Sequence, residues 1–213
     1  MKCDKKWMPL YAVTDRSWLR GSTLLRQAEA AIRGGATCIQ LREKELDKKA
    51  FLQEAFEMKA LCVKYGVPLF INDDVEIAMA CGADGVHIGQ HDAPAGTVRK
   101  MIGPDMMLGV SAQTVEQALK AQEDGADCLG VGAVFTTGTK RDADDVSRET
   151  LKAICEAVEI PVVAIGGIKK ENIADLAGSG IDGVAVVSAI FAAEDIEEAA
   201  RELRETVRKE LGV

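Results

Sequence analysis

Two short apolar runs in this sequence end in acids. Residues 69–71 (LFI) lead into Asn72, Asp73 and Asp74, and residues 86–88 (VHI) lead through Gly89, Gln90 and His91 to Asp92. Carboxylates gathered at strand ends repel one another, and a cation offsets that repulsion. No Cys or His pair with zinc spacing accompanies them, so the donors are oxygens alone. An oxygen-only site suits a hard cation, most simply Mg2+, held by one or two carboxylates with waters and substrate phosphate. Helix capping is the alternative: Asp73 or Asp74 could cap a helix starting near Val75, and Asp92 one starting near Pro94. Capping accounts for either acid alone, whereas the pair favours a metal.

Basic residues fall at similar places. Arg42, Lys44 and Lys140 follow apolar runs and do not lie on helix faces. Arginine offers a bidentate fork and lysine a mobile point charge, and both suit phosphate oxygens. The competing reading pairs them with Glu43, Glu45 or Asp142 as solvated surface charges. A third grouping is built on glycine: IGGI at 165–168 and VVSAI at 186–190. Gly166 and Gly167 let backbone N–H groups approach an anion, and Ser188 could begin a short helix whose N-terminus favours negative charge. Two phosphate-binding groupings, one of them with a metal, suggest one substrate carrying a pyrophosphate and another carrying a single phosphate.

These residues need a scaffold that brings strand ends together. The sequence alternates short β-branched runs with longer helical patterns. Strands are expected at 10–14, 37–41, 69–72, 85–88, 107–110, 128–132, 162–165 and 183–187. The last helical pattern is the clearest: Ile196, Ala199, Ala200, Leu203, Val207 and Leu211 form one apolar stripe. A glycine stands shortly before many strands, as in GGATCIQL, YGVPLFIN, CGADGVHIG, DGADCLGVG and SGIDGVAVV. Glycine ends a helix cheaply because it tolerates left-handed dihedrals. The strands are apolar throughout instead of alternating, which fits parallel strands buried on both faces. Eight β/α units in 213 residues imply a single-domain (β/α)8 TIM barrel spanning 1–213, with an open doubly wound sheet as the alternative. Aromatic content of 4% suggests a barrel interior filled by Val, Ile, Leu and Ala. In such a barrel the active site lies at the C-terminal ends of the strands. Nearly every expected strand delivers hydrogen-bonding groups there, and this convergence is the main argument for an enzyme.

Composition excludes several other classes. A net charge of −8, with basic pairs scattered among acids, argues against a nucleic-acid or anionic-membrane surface. At 47% apolar and 28% charged, the chain can build a substantial core. Its N-terminus, MKCDKKWMPL, has no signal-peptide h-region, and no apolar run reaches membrane-spanning length. The six cysteines include no CxxC, Cys38 and Cys128 sit inside apolar runs as small core hydrophobes, and a disulfide framework is not expected, which points to a reducing cytoplasm. His87 and His91 have the i, i+4 spacing of a zinc helix, but His87 sits in a strand pattern and Gly89 separates them. Gly130–Phe135 lacks the third glycine of a dinucleotide fingerprint, and two histidines do not supply a convincing Ser-His-Asp set. The sequence does not fix an oligomeric state; a homo-oligomer is compatible with it.

Six stretches, QLREK (40–44), INDD (71–74), HIGQHD (87–92), GVSA (109–112), TGTK (137–140) and AIGGI (164–168), occur in order over nearly the whole chain. Together they resemble the thiamine-phosphate synthase family. That resemblance implies a transferase joining 4-amino-2-methyl-5-hydroxymethylpyrimidine diphosphate to hydroxyethylthiazole phosphate, with release of pyrophosphate. It implies that Asp73 and Asp92 bind Mg2+. Gln40, Leu41, Arg42, Glu43, Lys44, Asn72, Ser111 and Lys140 would contact the pyrimidine diphosphate, with Arg42, Lys44, Ser111 and Lys140 carrying the catalysis. Thr137, Gly138, Thr139, Gly167, Val187 and Ser188 would hold the thiazole phosphate. Thr136 departs from the proline common before the TxTK segment, and Gln113 from a histidine common after the Ser-Ala pair. A related group with this fold isomerises thiazoles, and proton transfer there wants a base such as histidine. Gln113 with both acids retained therefore argues for the synthase. A catalytically silent phosphate-ligand binder would be expected to lack one of these charged residues, and a metal-dependent epimerase would want histidines on separate strands.

Overall fold

The computed structural model describes residues 3–136 and 146–213. Eight parallel strands close into a barrel in sequence order, with β8 paired to β1. They are β1 Leu10–Val13, β2 Cys38–Leu41, β3 Leu69–Asn72, β4 Gly85–Ile88, β5 Met107–Ala112, β6 Cys128–Val131, β7 Val162–Ile165 and β8 Gly183–Val186. The open-sheet alternative is therefore excluded. Expected and observed limits coincide for β3, β4 and β7, and β5 runs two residues further, to Ala112. Outside the barrel lie α1 Leu24–Arg33, α2 Lys48–Tyr65, α3 Val75–Cys81, α4 Ala95–Ile102, α5 Val115–Glu123, α6 Arg148–Ala157, the single turn α7 Ser188–Phe191 and α8 Ile196–Leu211. The link from β7 to β8 is a 3-10 helix, Lys170–Leu176. Gly66 and Gly82 end α2 and α3 at φ +68° and +65°, in the left-handed region anticipated for the helix-ending glycines. Among the described residues, no helix is long and apolar enough to cross a membrane.

Alternation along each strand splits the core into two layers. Outward residues such as Ile39, Leu41, Leu69, Ile71, Val86, Ile88, Leu108 and Val110 pack beneath the helices. Inward residues form a separate cluster of Met8, Tyr11, Val13, Cys38, Phe70, Met107, Cys128, Val163 and Ala185. The interior thus differs from the expected Val, Ile, Leu and Ala filling. Two of the chain's few aromatics, Tyr11 and Phe70, stand at its centre with ring centroids 5.6 Å apart. Small inward residues make this fit: a Cβ on Gly85 would lie 2.4 Å from the Phe70 ring.

A device at the N-terminal face repeats every two strands. The side chain just before each even strand accepts from a backbone amide at the start of the preceding odd strand, the first residue of β1, β3 and β7 and the second of β5. Thr37 bonds Leu10 (3.0 Å), Asp84 bonds Leu69 (2.9 Å), Asp127 bonds Leu108 (2.8 Å) and Asp182 bonds Val162 (3.0 Å). Each aspartate also meets a cation: Lys59 at Asp84 (2.7 Å), Arg99 at Asp127 and Lys5 at Asp182 (2.7 Å). Charge-assisted bonds of this kind contribute about 1.5–3 kcal/mol each, so the face opposite the candidate site carries much of the barrel's polar fastening.

Candidate active site

The C-terminal rim collects the polar residues expected there. At the end of β2, Arg42 donates its amide to Thr14 Oγ1 (3.0 Å), and its Nη1 reaches Asp15 Oδ2 at 3.3 Å. Lys44 Nζ lies 2.5 Å from Asp73 Oδ2. These contacts replace the surface pairing with Glu43 or Glu45 considered from sequence. Glu43 instead turns inward, its side chain 1% exposed, and meets Arg16.

The acids separate into structural and chemical members. Asp74 caps α3 through the Ile77 amide (2.8 Å). Asp73 does not cap. It sits in the left-handed region at φ +64°, with its amide on the His87 carbonyl (2.8 Å) and its carboxylate turned to the rim. A non-glycine residue held there is uncommon, and such conformations cluster at functional sites. Asp92 does not cap α4 either; Pro94 occupies that position, and Asp92 Oδ2 accepts from the Gly89 amide (2.7 Å). Desolvation by the rim pushes the Asp92 carboxyl up, the Gly89 amide pulls it back, and the neighbouring charge of Asp73 adds to the rise. Two acids from adjacent strands therefore meet as a like-charged pair. An all-oxygen pair under mutual repulsion fits a hard divalent cation.

Deeper in the barrel, Gln40 is buried and donates Nε2 to the Tyr11 hydroxyl (3.0 Å). Leu41 points outward into the helix-covered core, so only its backbone can face a ligand. Asn72 ends β3 opposite His87 of β4. Ser111 Oγ lies 3.0 Å from His87 Nε2, and the Ser111 carbonyl accepts from Gln90 Nε2 at 2.6 Å. His87 is thus an interior residue of the strand, as its pattern indicated, while His91 is exposed. Its contact with Ser111 was not legible in the motif. A signal existed in Gly109 and Gly130, whose Cβ positions would fall 2.5 and 3.1 Å from the imidazole ring. Glycines at inward positions of the next two strands leave room for a large neighbour.

At the ends of β7 and β8, Gly167 has φ +63°, and a Cβ there would lie 2.7 Å from the Phe135 and Thr136 carbonyl oxygens. Asn172 holds this turn by donating Nδ2 to the Gly167 carbonyl (3.0 Å) while its Oδ1 accepts from the Lys169 amide (2.8 Å). Val187 and Ser188 follow β8, and Ser188 opens α7 as expected. Thr137, Gly138, Thr139 and Lys140 lie outside the described residues.

A closed β/α barrel whose C-terminal rim joins paired carboxylates to arginine and lysine defines an enzyme of the phosphate-handling barrel class. A family model described as thiamine monophosphate synthase matches residues 10–190. Thiamine-phosphate synthase of Clostridium tetani is 55% identical over 194 residues, covering 91% of this chain and 93% of the relative. That of Alkaliphilus oremlandii is 54% identical over 199 residues, covering 93% and 95%. Among solved structures, thiamine phosphate pyrophosphorylase from Pyrococcus furiosus superposes with a TM-score of 0.90 at 39% identity, covering 98% and 99% of the two chains. The chain belongs to the thiamine-phosphate synthase family.

Proposed function

We propose that this chain is a Mg2+-dependent transferase coupling 4-amino-2-methyl-5-hydroxymethylpyrimidine diphosphate with hydroxyethylthiazole phosphate to give thiamine phosphate and pyrophosphate. The observation that carries the reading is the Asp73–Asp92 pair beside Lys44 and Arg42 at one rim. Asp73 and Asp92 would hold Mg2+, which when bound supplies positive charge for the diphosphate oxygens. Arg42 and Lys44, with Lys140 assigned by motif, bind the diphosphate and stabilise the charge that grows on it as the C–O bond breaks. The electron pair of that bond leaves with pyrophosphate. The aminopyrimidine delocalises the methylene cation, and the thiazole nitrogen then attacks it, so no protein nucleophile is needed. Gln40, held by Tyr11, and Ser111, held by His87, orient the pyrimidine, with Asn72 and the backbone of Leu41 lining the same side. Gly167, Val187 and Ser188, with Thr137, Gly138 and Thr139 by motif, bind the thiazole phosphate.

Closure of β8 onto β1 supports treating residues 1–213 as one domain. Six free cysteines suit the reducing cytoplasm. Small molecules are the proposed partners, and self-association into a homo-oligomer is compatible with the barrel.

The test is direct. Purified protein is incubated with both substrates and either Mg2+ or EDTA, and thiamine phosphate is read as fluorescent thiochrome. Mg2+-dependent product is expected. A folded protein that binds both ligands and forms none would refute the coupling and direct attention to thiazole isomerisation.

A further inference from the structure

The cations flanking Glu43 face the rim, and Glu43 itself faces the protein. Its Oε1 accepts three consecutive backbone amides, from Lys44 (2.8 Å), Glu45 (2.6 Å) and Leu46 (3.1 Å). Its Oε2 accepts Arg16 Nε at 2.7 Å and lies 2.5 Å from Arg16 Nη2. The same Nη2 bridges to both oxygens of Glu54 on α2, at 2.9 and 2.8 Å. One guanidinium thus ties together the turn after β1, the loop after β2 and the helix that follows. Burial raises the Glu43 carboxyl, while Arg16 and the amides of Glu45 and Leu46 more than reverse that, so it stays charged. Three aligned amides around a buried carboxylate fix the course of residues 44–46. With that course set, the Lys44 amine is free only to move about its own side-chain bonds. Arg42 is held from the other direction by Thr14 and Asp15, which also belong to the β1 end.

We infer that Arg16 and Glu54 are positioning residues for diphosphate binding. They lock Glu43, and Glu43 presents Arg42 and Lys44 to the diphosphate. This rests on the proposed placement of the diphosphate at Arg42 and Lys44. Neither Arg16 nor Glu54 would touch substrate. Their effect reaches it through the loop after β2, which carries Arg42 and Lys44, so it falls on the diphosphate and spares the thiazole phosphate, whose proposed ligands follow β7 and β8.

The arginine's geometry is specific to its role. A lysine keeps the charge but has no planar fork to serve Glu43 and Glu54 together. Arg16→Met leaves two facing carboxylates without their cation, and Arg16→Lys tests the same geometry in a protein that retains the charge. The first readout is calorimetric titration of inorganic pyrophosphate with Mg2+ into wild type and variants, with circular dichroism to establish folding. Arg16→Met should weaken pyrophosphate binding on the order of tenfold, and Arg16→Lys by about threefold, the losses expected for misplaced ionic contacts. In turnover assays the diphosphate KM should rise by a similar factor while the thiazole-phosphate KM stays within about twofold. Unchanged pyrophosphate affinity in folded Arg16→Met would overturn the inference, as would equal increases in both KM values. If Arg16→Met does not fold, Arg16→Lys decides by the same criteria. The pyrophosphate titration stands even if wild type forms no thiamine phosphate, an outcome that sinks the coupling activity alone. Absence of pyrophosphate binding by wild type would overturn the positioning role.

Discussion

At the residue scale, the rim is organised by what each charge is not needed for. Asp74 caps a helix, Glu43 holds a loop, and Asp15 steadies Arg42. Asp73 and Asp92 are left facing one another, and Lys44 is the cation beside Asp73. Asp92→Asn removes half of the proposed metal site without removing the side chain's bulk. Its expected result is loss of Mg2+-dependent thiochrome signal with the melting curve little changed. Near-normal Mg2+-dependent turnover would rule out Asp92 as a ligand. Ser111 gives a second expectation. Gly109→Ala would place a Cβ 2.5 Å from His87 Nδ1, and the ring must move. Ser111 then loses the partner that orients its hydroxyl. A loss in kcat/KM of roughly tenfold is expected, the worth of one displaced hydrogen bond. A folded Gly109→Ala protein with wild-type kinetics would show that His87 does not position Ser111.

At the scale of elements, the glycine turn after β7 and the single helical turn α7 after β8 form the second half of the rim. Gly167 combines a positive φ with backbone oxygens where a Cβ would be, so it tolerates no side chain. Ser188 is the side chain to change because α7 depends on backbone bonds from Ile190 and Phe191 to the Val187 carbonyl. Ser188→Ala should raise the thiazole-phosphate KM by several-fold, in the range of one lost hydrogen bond to a charged group, and leave the diphosphate KM nearly unchanged. Steady-state kinetics with each substrate varied in turn would check this, and equal shifts would contradict the division of the rim into two phosphate sites.

At the scale of the whole molecule, function and fastening occupy opposite ends of the barrel. The C-terminal rim gathers the Asp73–Asp92 pair beside Arg42 and Lys44. The N-terminal face carries the repeated Thr37, Asp84, Asp127 and Asp182 bonds, three with cations. Asp127→Ala would leave Arg99 with its carbonyl partners only and take the side-chain acceptor from the Leu108 amide of β5. Calorimetry should record a loss of about 2–4 kcal/mol, as for breaking a partly buried ion pair, with kcat unchanged at temperatures where the variant is folded. A variant as stable as wild type would mean that the repeated clamps are not what holds this face.

The sequence made eight parallel β/α units legible through its apolar runs, helical stripes and glycine stops, but an open doubly wound sheet also buries both strand faces, and only the pairing of β8 with β1 chose the barrel. The sequence also determined which residues reach the rim, since period and strand end place Arg42, Lys44, Asp73, Asp92, Ser111 and Ser188 without knowledge of neighbours. Contacts between strands were another matter. Only the pairing of neighbouring strands in register brought Asp73 against Asp92, His87 against Ser111 and Arg16 against both Glu43 and Glu54. Capping and metal binding ask for the same residue type in the same sequence position, so Asp73 and Asp74 could not be told apart until the backbone put one on the helix and the other in the left-handed region. The barrel interior was misjudged for a related reason. Composition counts aromatics but not their direction, and inward small residues, not overall scarcity, decide where Tyr11 and Phe70 fit. Partner choice is a three-dimensional quantity: it depends on which strands pair and in what register, which no strand carries in its own residues.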